Sequence, residues 1–212
     1  SIQRILSRDE IAWLTRASDL RGWLSLATSY AIIAGCFVLV AWLPHPATVA
    51  LALVLLGGRQ LALAVLMHEC AHRSLFHTRW LNRWVGRWLC AAPIWNRLDG
   101  YRAGHLPHHS HTGTDRDPDL VLVEPFPTSR ASLTRKFLRD LSGLTGLKRI
   151  VGTLAMDAGY ISYTTSGHAR RLDQRGRRIG VVARGLARNT GPTLGFGVVL
   201  FGLLWLVGQP WL

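Results

Sequence analysis

Two short stretches carry most of the chemistry available to this chain. "HECAH" runs from His68 to His72, and "HLPHH" runs from His105 to His109. The first spacing puts His68 and His72 at i and i+4, on one helix face and about 6 Å apart along the axis, so both imidazoles reach one metal ion or two adjacent ones. In the second, His105 pairs with His108 by i+3 and with His109 by i+4. That pairing expects Pro107 in the first turn of its helix, where a residue without an N–H is tolerated. His108 and His109 sit about 100° apart around a helix and therefore suit different metals, or different sides of one cluster. Imidazole serves zinc, copper, iron and nickel alike. Five such ligands exceed the three or four that a zinc site takes, so the set points to two metals.

The neighbouring residues fit supporting roles. Glu69, Asp117 and Asp119 carry carboxylates that can accept the second ring N–H of a ligating histidine and fix its orientation. For the two aspartates, a turn built on "DPD" is an equal reading. His111 has no place in the ligand spacing and is expected behind the ligands. His45, His77 and His168 stand apart and read as structural.

These side chains need a helix to carry them, and hydropathy supplies one. Trp23 to Leu43 is uncharged, and at about 1.5 Å per residue it crosses a hydrocarbon core of about 30 Å. "PHP", Pro44 to Pro46, then stops the helix. A second apolar run, Ala47 to about Met67, returns through the bilayer and continues into His68 and His72. Arg59 within that run costs about 2.5–3.5 kcal/mol at mid-bilayer and so must face protein or water rather than lipid. A third uncharged run covers Thr193 to Leu212. The expected fold is an all-α integral membrane protein: a transmembrane hairpin at about 23–43 and 47–67, a third span at 193–212, and interfacial helices carrying the histidine boxes in the region 68–192. The whole of 1–212 is expected to form one membrane domain. Trp80, Trp84 and Trp88 recur beside Arg79, Arg83 and Arg87, as on an interfacial helix with indoles at headgroup depth and guanidiniums toward phosphate. The stretch from His168 to Arg188 reads as a further basic surface segment.

Charge and cysteine usage give the compartment. The formal net charge is +13, and all of the 25 basic residues except Lys136 and Lys148 are arginines, a bias that points to a GC-rich, bacterial coding sequence. With long apolar runs present, the counter-charge is an anionic leaflet rather than nucleic acid. Basic residues crowd the region between the second and third runs and the segment before the first, whereas "PHP" has none. The positive-inside rule therefore places the histidine boxes in the cytoplasm, at a bacterial inner membrane. Cys36, Cys70 and Cys90 are too few and too apolar in context for a disulfide framework. No cleavable signal peptide is visible.

"HECAHRSLF" followed by "YRAGHLPHHSHTGTDRDPDL" resembles the first and second histidine boxes of the membrane fatty acid desaturase superfamily, closely over about Arg59 to Leu120. The resemblance implies a non-haem di-iron centre at the cytoplasmic membrane face. It implies O2 as co-substrate and desaturation of a lipid acyl chain, with electrons from a ferredoxin or cytochrome-type donor. Carried over residue by residue, it implies His68, His72, His105, His108 and His109 as iron ligands. The superfamily also has a third box, H-x-x-H-H, after a further pair of spans. This sequence ends in the first of that pair, and the expectation is a truncated chain with an incomplete site.

Three other readings compete. Hydroxylases or ketolases of alkanes, sterols or carotenoids use similar boxes. "HECAH" also satisfies H-E-x-x-H, the zinc-protease pattern in which glutamate is general base, and "LDG", Leu98 to Gly100, would offer Asp99 as third ligand; that reading leaves His105, His108 and His109 without a task. A membrane metal transporter or sensor would call for ionisable residues deep in several spans, and only Arg59 qualifies.

Overall fold

The first three helices each begin on a residue suited to begin them. Ser7 and Glu10 form a reciprocal capping box that opens α1 (Arg8–Leu14). The hydroxyl of Ser18 accepts from the Arg21 N–H to open α2 (Asp19–Trp42). The "PHP" turn then works through its histidine: His45 Nδ1 accepts from the Ala47 N–H at 3.2 Å, Thr48 Oγ1 accepts from the His45 N–H, and Pro46 occupies the first turn of α3 (Pro46–His72). His45 is thus the structural residue its isolation suggests. The computed structural model describes residues 5–123, 126–163, 169–173 and 179–209. They divide into two compact units, Ser1–Arg102 with Thr193–Leu212 and Ala103–Pro192.

In the first unit, α2 and α3 pair as the expected hairpin. The core lies at the histidine end of α3, where Leu63, Leu66, Met67, Cys70 and Ala71 meet Phe76, Leu81, Val85, Cys90 and Leu98. Arg73 ends α3 in the left-handed conformation (φ 62°). The chain then turns into α4 (Arg79–Val85), which runs on as a π-helical segment, Gly86–Ala91, and a 3-10 turn, Ala92–Ile94. Polar ties hold this crossing. Asp19 accepts from the Thr78 N–H at 2.9 Å and hydroxyl at 2.6 Å. The Tyr30 hydroxyl donates to the Leu89 carbonyl at 2.9 Å. Buried Asn82 accepts from the Phe76 N–H at 3.0 Å and donates to the Phe76 carbonyl at 2.7 Å. Two glycines permit the close approach: a Cβ on Gly22 would stand 2.6 Å from the Phe76 ring, and one on Gly86 2.7 Å from Cys70 Cβ.

The tryptophan stripe takes its shape from the wider turn. A strict spacing of four drifts around an α-helix of 3.6 residues per turn, and the i→i+5 bonding over Gly86–Ala91 absorbs the excess. Trp80, Trp84 and Trp88 are all exposed, opposite buried Leu81, Val85 and Cys90.

The second unit holds α6 (Leu120–Val123), α7 (Arg130–Leu141), α8 (Leu144–Asp157) and a short antiparallel pair, β1 (Ile161–Tyr163) with β2 (Ala169–Arg171), in the register Ile161↔Arg171. The small hairpin is an addition to the all-α expectation, which otherwise describes the fold. Asp157 closes α8 onto the next helix: its buried carboxylate accepts from Thr190 Oγ1 at 2.8 Å, and a Cβ on Gly185 would meet its carbonyl at 2.7 Å.

That next helix, α9 (Ile179–Leu206), corrects the third predicted span. It begins 14 residues before Thr193, and Pro192 lies inside it rather than ahead of it. The arginine-bearing turns before Pro192 are helical because they pack against Asp157, a contact hydropathy does not register. The expected surface segment from His168 to Arg188 accordingly resolves into β2 and the start of α9; His168 and residues 174–178 lie outside the described residues. Together, α1 with α2, α3 and α9 give three helical stretches long and apolar enough to cross a membrane. The chain is an integral membrane protein of helical type. Arg59 is half-buried on α3.

Candidate metal centre

His68 and His72 sit on the last turns of α3, one turn apart, with ring centroids 4.6 Å from each other. The helix holds both rings on one side because the opposite side, Met67, Cys70 and Ala71, is fixed in the core. His68 Nδ1 lies 3.0 Å from Glu69 Oε1, and Glu69 Oε2 accepts from Ser74 Oγ at 2.6 Å. A carboxylate tied at both oxygens keeps the Nδ1 proton of His68 in place and leaves Nε2 with its lone pair, as a metal requires. The ring of His68 also stands 6.3 Å from that of Tyr101, edge to face.

Tyr101 belongs to α5 (Leu98–His111), which carries the second box. The helix starts nine residues before Pro107, so the expectation of a proline in its first turn is corrected: Pro107 is inside the helix. Leu98, buried in the core, pins the start far upstream. The cost of the missing Pro107 N–H is one i→i−4 bond, at the Ala103 carbonyl.

Within the second unit, His105 and His109 face each other with their Nε2 atoms 2.9 Å apart and their rings at 84°. Two nitrogens bound at about 2.1 Å to one first-row metal, roughly at right angles, stand about 3 Å apart, so this pair is already spaced for a shared ion. His105 is buried. His108, one position from His109, turns elsewhere: its Nδ1 lies 2.6 Å from Asp117 Oδ1 and 3.6 Å from Asp119 Oδ2. The Asp117 carboxylate beside it pushes the His108 imidazole above its ordinary pKa, and His108, with the Asp119 and Gly113 N–H groups, holds the Asp117 carboxyl down at about 2.

The two boxes differ from the sequence expectation in detail. His68 pairs with His72 and His105 with His109, each by i+4, while the i+3 partner His108 is committed to Asp117. Glu69 and Asp117 each lie against a histidine Nδ1, and Asp117 forms the "DPD" turn as well, accepting from the Asp119 N–H at 2.9 Å and the Gly113 N–H at 3.1 Å. The carbonyl of His111 accepts from Thr114 and so closes the end of α5. His77 is exposed beside the start of α4. Ser74 and Tyr101 were not foreseen. Ser74 follows the box by two residues and reaches Glu69 only because α3 ends in a left-handed turn, which no sequence pattern marks.

Two imidazole pairs, with Glu69 beside the first and Asp117 on His108 next to the second, on helices of a membrane-spanning protein, define a class: integral membrane proteins with a candidate metal centre. Residues 41–212 match the fatty acid desaturase family, and the chain belongs to that family. It is similar to the dihydrorhizobitoxine desaturase of Bradyrhizobium elkanii, at 34% identity over 110 residues, which is 50% of this chain and 30% of that protein. The chain therefore matches under a third of that relative's length. No solved structure matches it.

Proposed function

We propose that the chain serves O2-dependent desaturation of a lipid acyl chain at a non-haem di-iron centre whose ligands include His68, His72, His105, His108 and His109. Membership of the fatty acid desaturase family supports a desaturase-type oxidoreductase. The observation that carries the finer reading is the donor set: only imidazoles, at helical spacing, with His105 and His109 presenting their Nε2 atoms 2.9 Å apart. Held by these residues, two irons would supply, with O2 and electrons from a ferredoxin or cytochrome-type donor, the oxidising power for removing two hydrogens from an unactivated acyl segment. The protein's part is to orient the ligands. Glu69 holds the Nδ1 edge of His68 and Asp117 that of His108, so each presents Nε2. The basic residues around the boxes favour a cytoplasmic placement at a bacterial inner membrane, and the three apolar helices favour a substrate that is itself a membrane lipid or acyl chain.

The zinc-protease reading is disfavoured by how its two carboxylates are engaged. Glu69 accepts from Ser74 at one oxygen and faces His68 Nδ1 with the other, the placement of a carboxylate that orients an imidazole. Asp99, its third ligand, is ion-paired with Arg87. Desaturation and hydroxylation share the same donor set and separate only by product.

Expression of the protein from its own complete gene, with metal analysis and acyl-chain profiling of the host, tests the proposal. About two irons per chain and new double bonds are the expected result. One zinc and no iron would overturn the metal, and hydroxylated products would overturn the reaction type.

A further inference from the structure

The helices α7 and α8 form a hairpin around Gly143, whose φ of 78° needs a glycine. Its corner is rigid: Asp140 accepts from Lys136 Nζ and from Thr145 Oγ1, each at 2.5 Å, and Arg139 Nε donates to Thr145 Oγ1 at 3.3 Å. Both helices are strongly amphipathic. Apolar residues recur at three- and four-residue spacing, yet Phe137, Leu138, Leu141, Leu144, Leu147 and Val151 are all at least 59% exposed, and Leu141 is 85% exposed. A soluble surface helix buries such a stripe.

Charge says what covers it. The hairpin carries Arg130, Arg135, Lys136, Arg139, Lys148 and Arg149 against two acids, Asp140 and Asp157. Asp140 is already paired with Lys136, and Asp157 is buried against Thr190. An apolar stripe flanked by unneutralised cations, in a chain that spans a bilayer, is complementary to an anionic lipid leaflet. We propose that α7–α8 is a membrane-docking element that lays its leucine face into the headgroup region of an anionic leaflet and sets Arg135, Lys148 and Arg149 against lipid phosphates.

The full chain, reconstituted in nanodiscs of phosphatidylcholine with or without phosphatidylglycerol, carries a nitroxide at Leu144→Cys, Leu147→Cys or Arg135→Cys. Native Cys36, Cys70 and Cys90 are buried and compete little for the label. Collisions with O2, concentrated in lipid, are compared with those of a water-soluble nickel chelate. At positions 144 and 147 in the anionic discs, O2 access is expected to dominate; at position 135, nickel access. The triple variant R135Q/K148Q/R149Q is expected to weaken docking by roughly 100-fold, since each basic residue near such a surface is worth roughly fivefold and three such losses multiply. Labels at 144 and 147 as open to nickel as the label at 135 would overturn the proposal. So would labels shielded from both reagents, which would put protein over the stripe, or docking unchanged between neutral and anionic discs.

Discussion

Asp117 Oδ1 lies 2.6 Å from His108 Nδ1, and the same carboxylate accepts the N–H groups of Gly113 and Asp119. One aspartate thus builds the turn after α5 and orients an imidazole on it. Removing its charge while keeping its shape separates the two tasks. Asp117→Asn retains the size and much of the turn but no longer holds the Nδ1 proton electrostatically. Iron affinity is expected to fall about 10–100-fold, the usual effect of losing an outer partner of a ligating histidine. Isothermal titration with ferrous iron measures it. Asp119→Asn, at 3.6 Å from the same nitrogen, is expected to do less, and equal losses from both variants would contradict the assignment.

The same pair gives the metal-free protein a pH signature. His108 has its pKa raised by Asp117, so its contribution is full below the ordinary histidine value of about 6.5 and disappears as pH rises through the elevated folded value. Asp117, lowered to about 2, contributes fully above the ordinary aspartate value of about 3.9 and loses that contribution as pH falls toward 2. The pair is therefore strongest at about pH 4–6.5. Proton NMR of the His108 ring should show it titrating above an ordinary histidine, and should show that shift vanish in Asp117→Asn. A His108 that titrates at or below the ordinary value sinks the pairing.

Substitutions at the proposed ligands should divide the histidines sharply. His105→Ala or His109→Ala breaks the Nε2 pair and should cost more iron than Asp117→Asn, beyond the roughly 10–100-fold of an outer partner. His111→Ala should keep iron within about twofold, because that residue's visible work is done by its backbone carbonyl. Iron counted per purified chain decides the matter. Loss of iron from His111→Ala equal to that from His109→Ala would add a ligand to the set.

The parts legible in the sequence are those written in short-range periodicity. Two apolar runs on either side of "PHP" define α2 and α3 to within a few residues, and i+4 histidines announce a shared face before any packing is known. What escapes is tertiary. Nothing local marks Asn82 as a buried clamp, since an asparagine after a tryptophan helix start reads as solvated. A Cβ on Gly86 would stand 2.7 Å from Cys70 Cβ, so the π-helical segment Gly86–Ala91 crosses α3 at a distance only glycine allows, a tertiary approach that no local pattern announces. Pro107 misleads in the opposite direction: its local rule favours a helix start, and the core anchor Leu98 overrides it. The start of α9 escapes for the same reason, because Thr190 and Gly185 are held by Asp157 rather than by lipid.

Asn82 supplies a stability test of how α4 is bound to the histidine end of α3. It accepts from the Phe76 N–H at 3.0 Å and donates to the Phe76 carbonyl at 2.7 Å, all inside the core. Asn82→Ala leaves that N–H and carbonyl without their partner, and a buried polar group so stranded costs about 1–3 kcal/mol, or about 2–4 kcal/mol for the two together after partial relaxation. Phe76 would loosen, and with it the cover over Cys70 and Cys90, which are now buried. Heating detergent-solubilised protein with a thiol-reactive fluorophore reads both effects at once: the variant should react at a lower temperature than wild type, through Cys70 and Cys90. Gly86→Ala is the companion, because its Cβ would press on Cys70 at 2.7 Å and on Leu98 at 2.9 Å, an overpacking worth about 1–3 kcal/mol. Should both variants expose their thiols at the wild-type temperature, the seam between α3 and the π-helical segment would not be what holds the first histidine box in place.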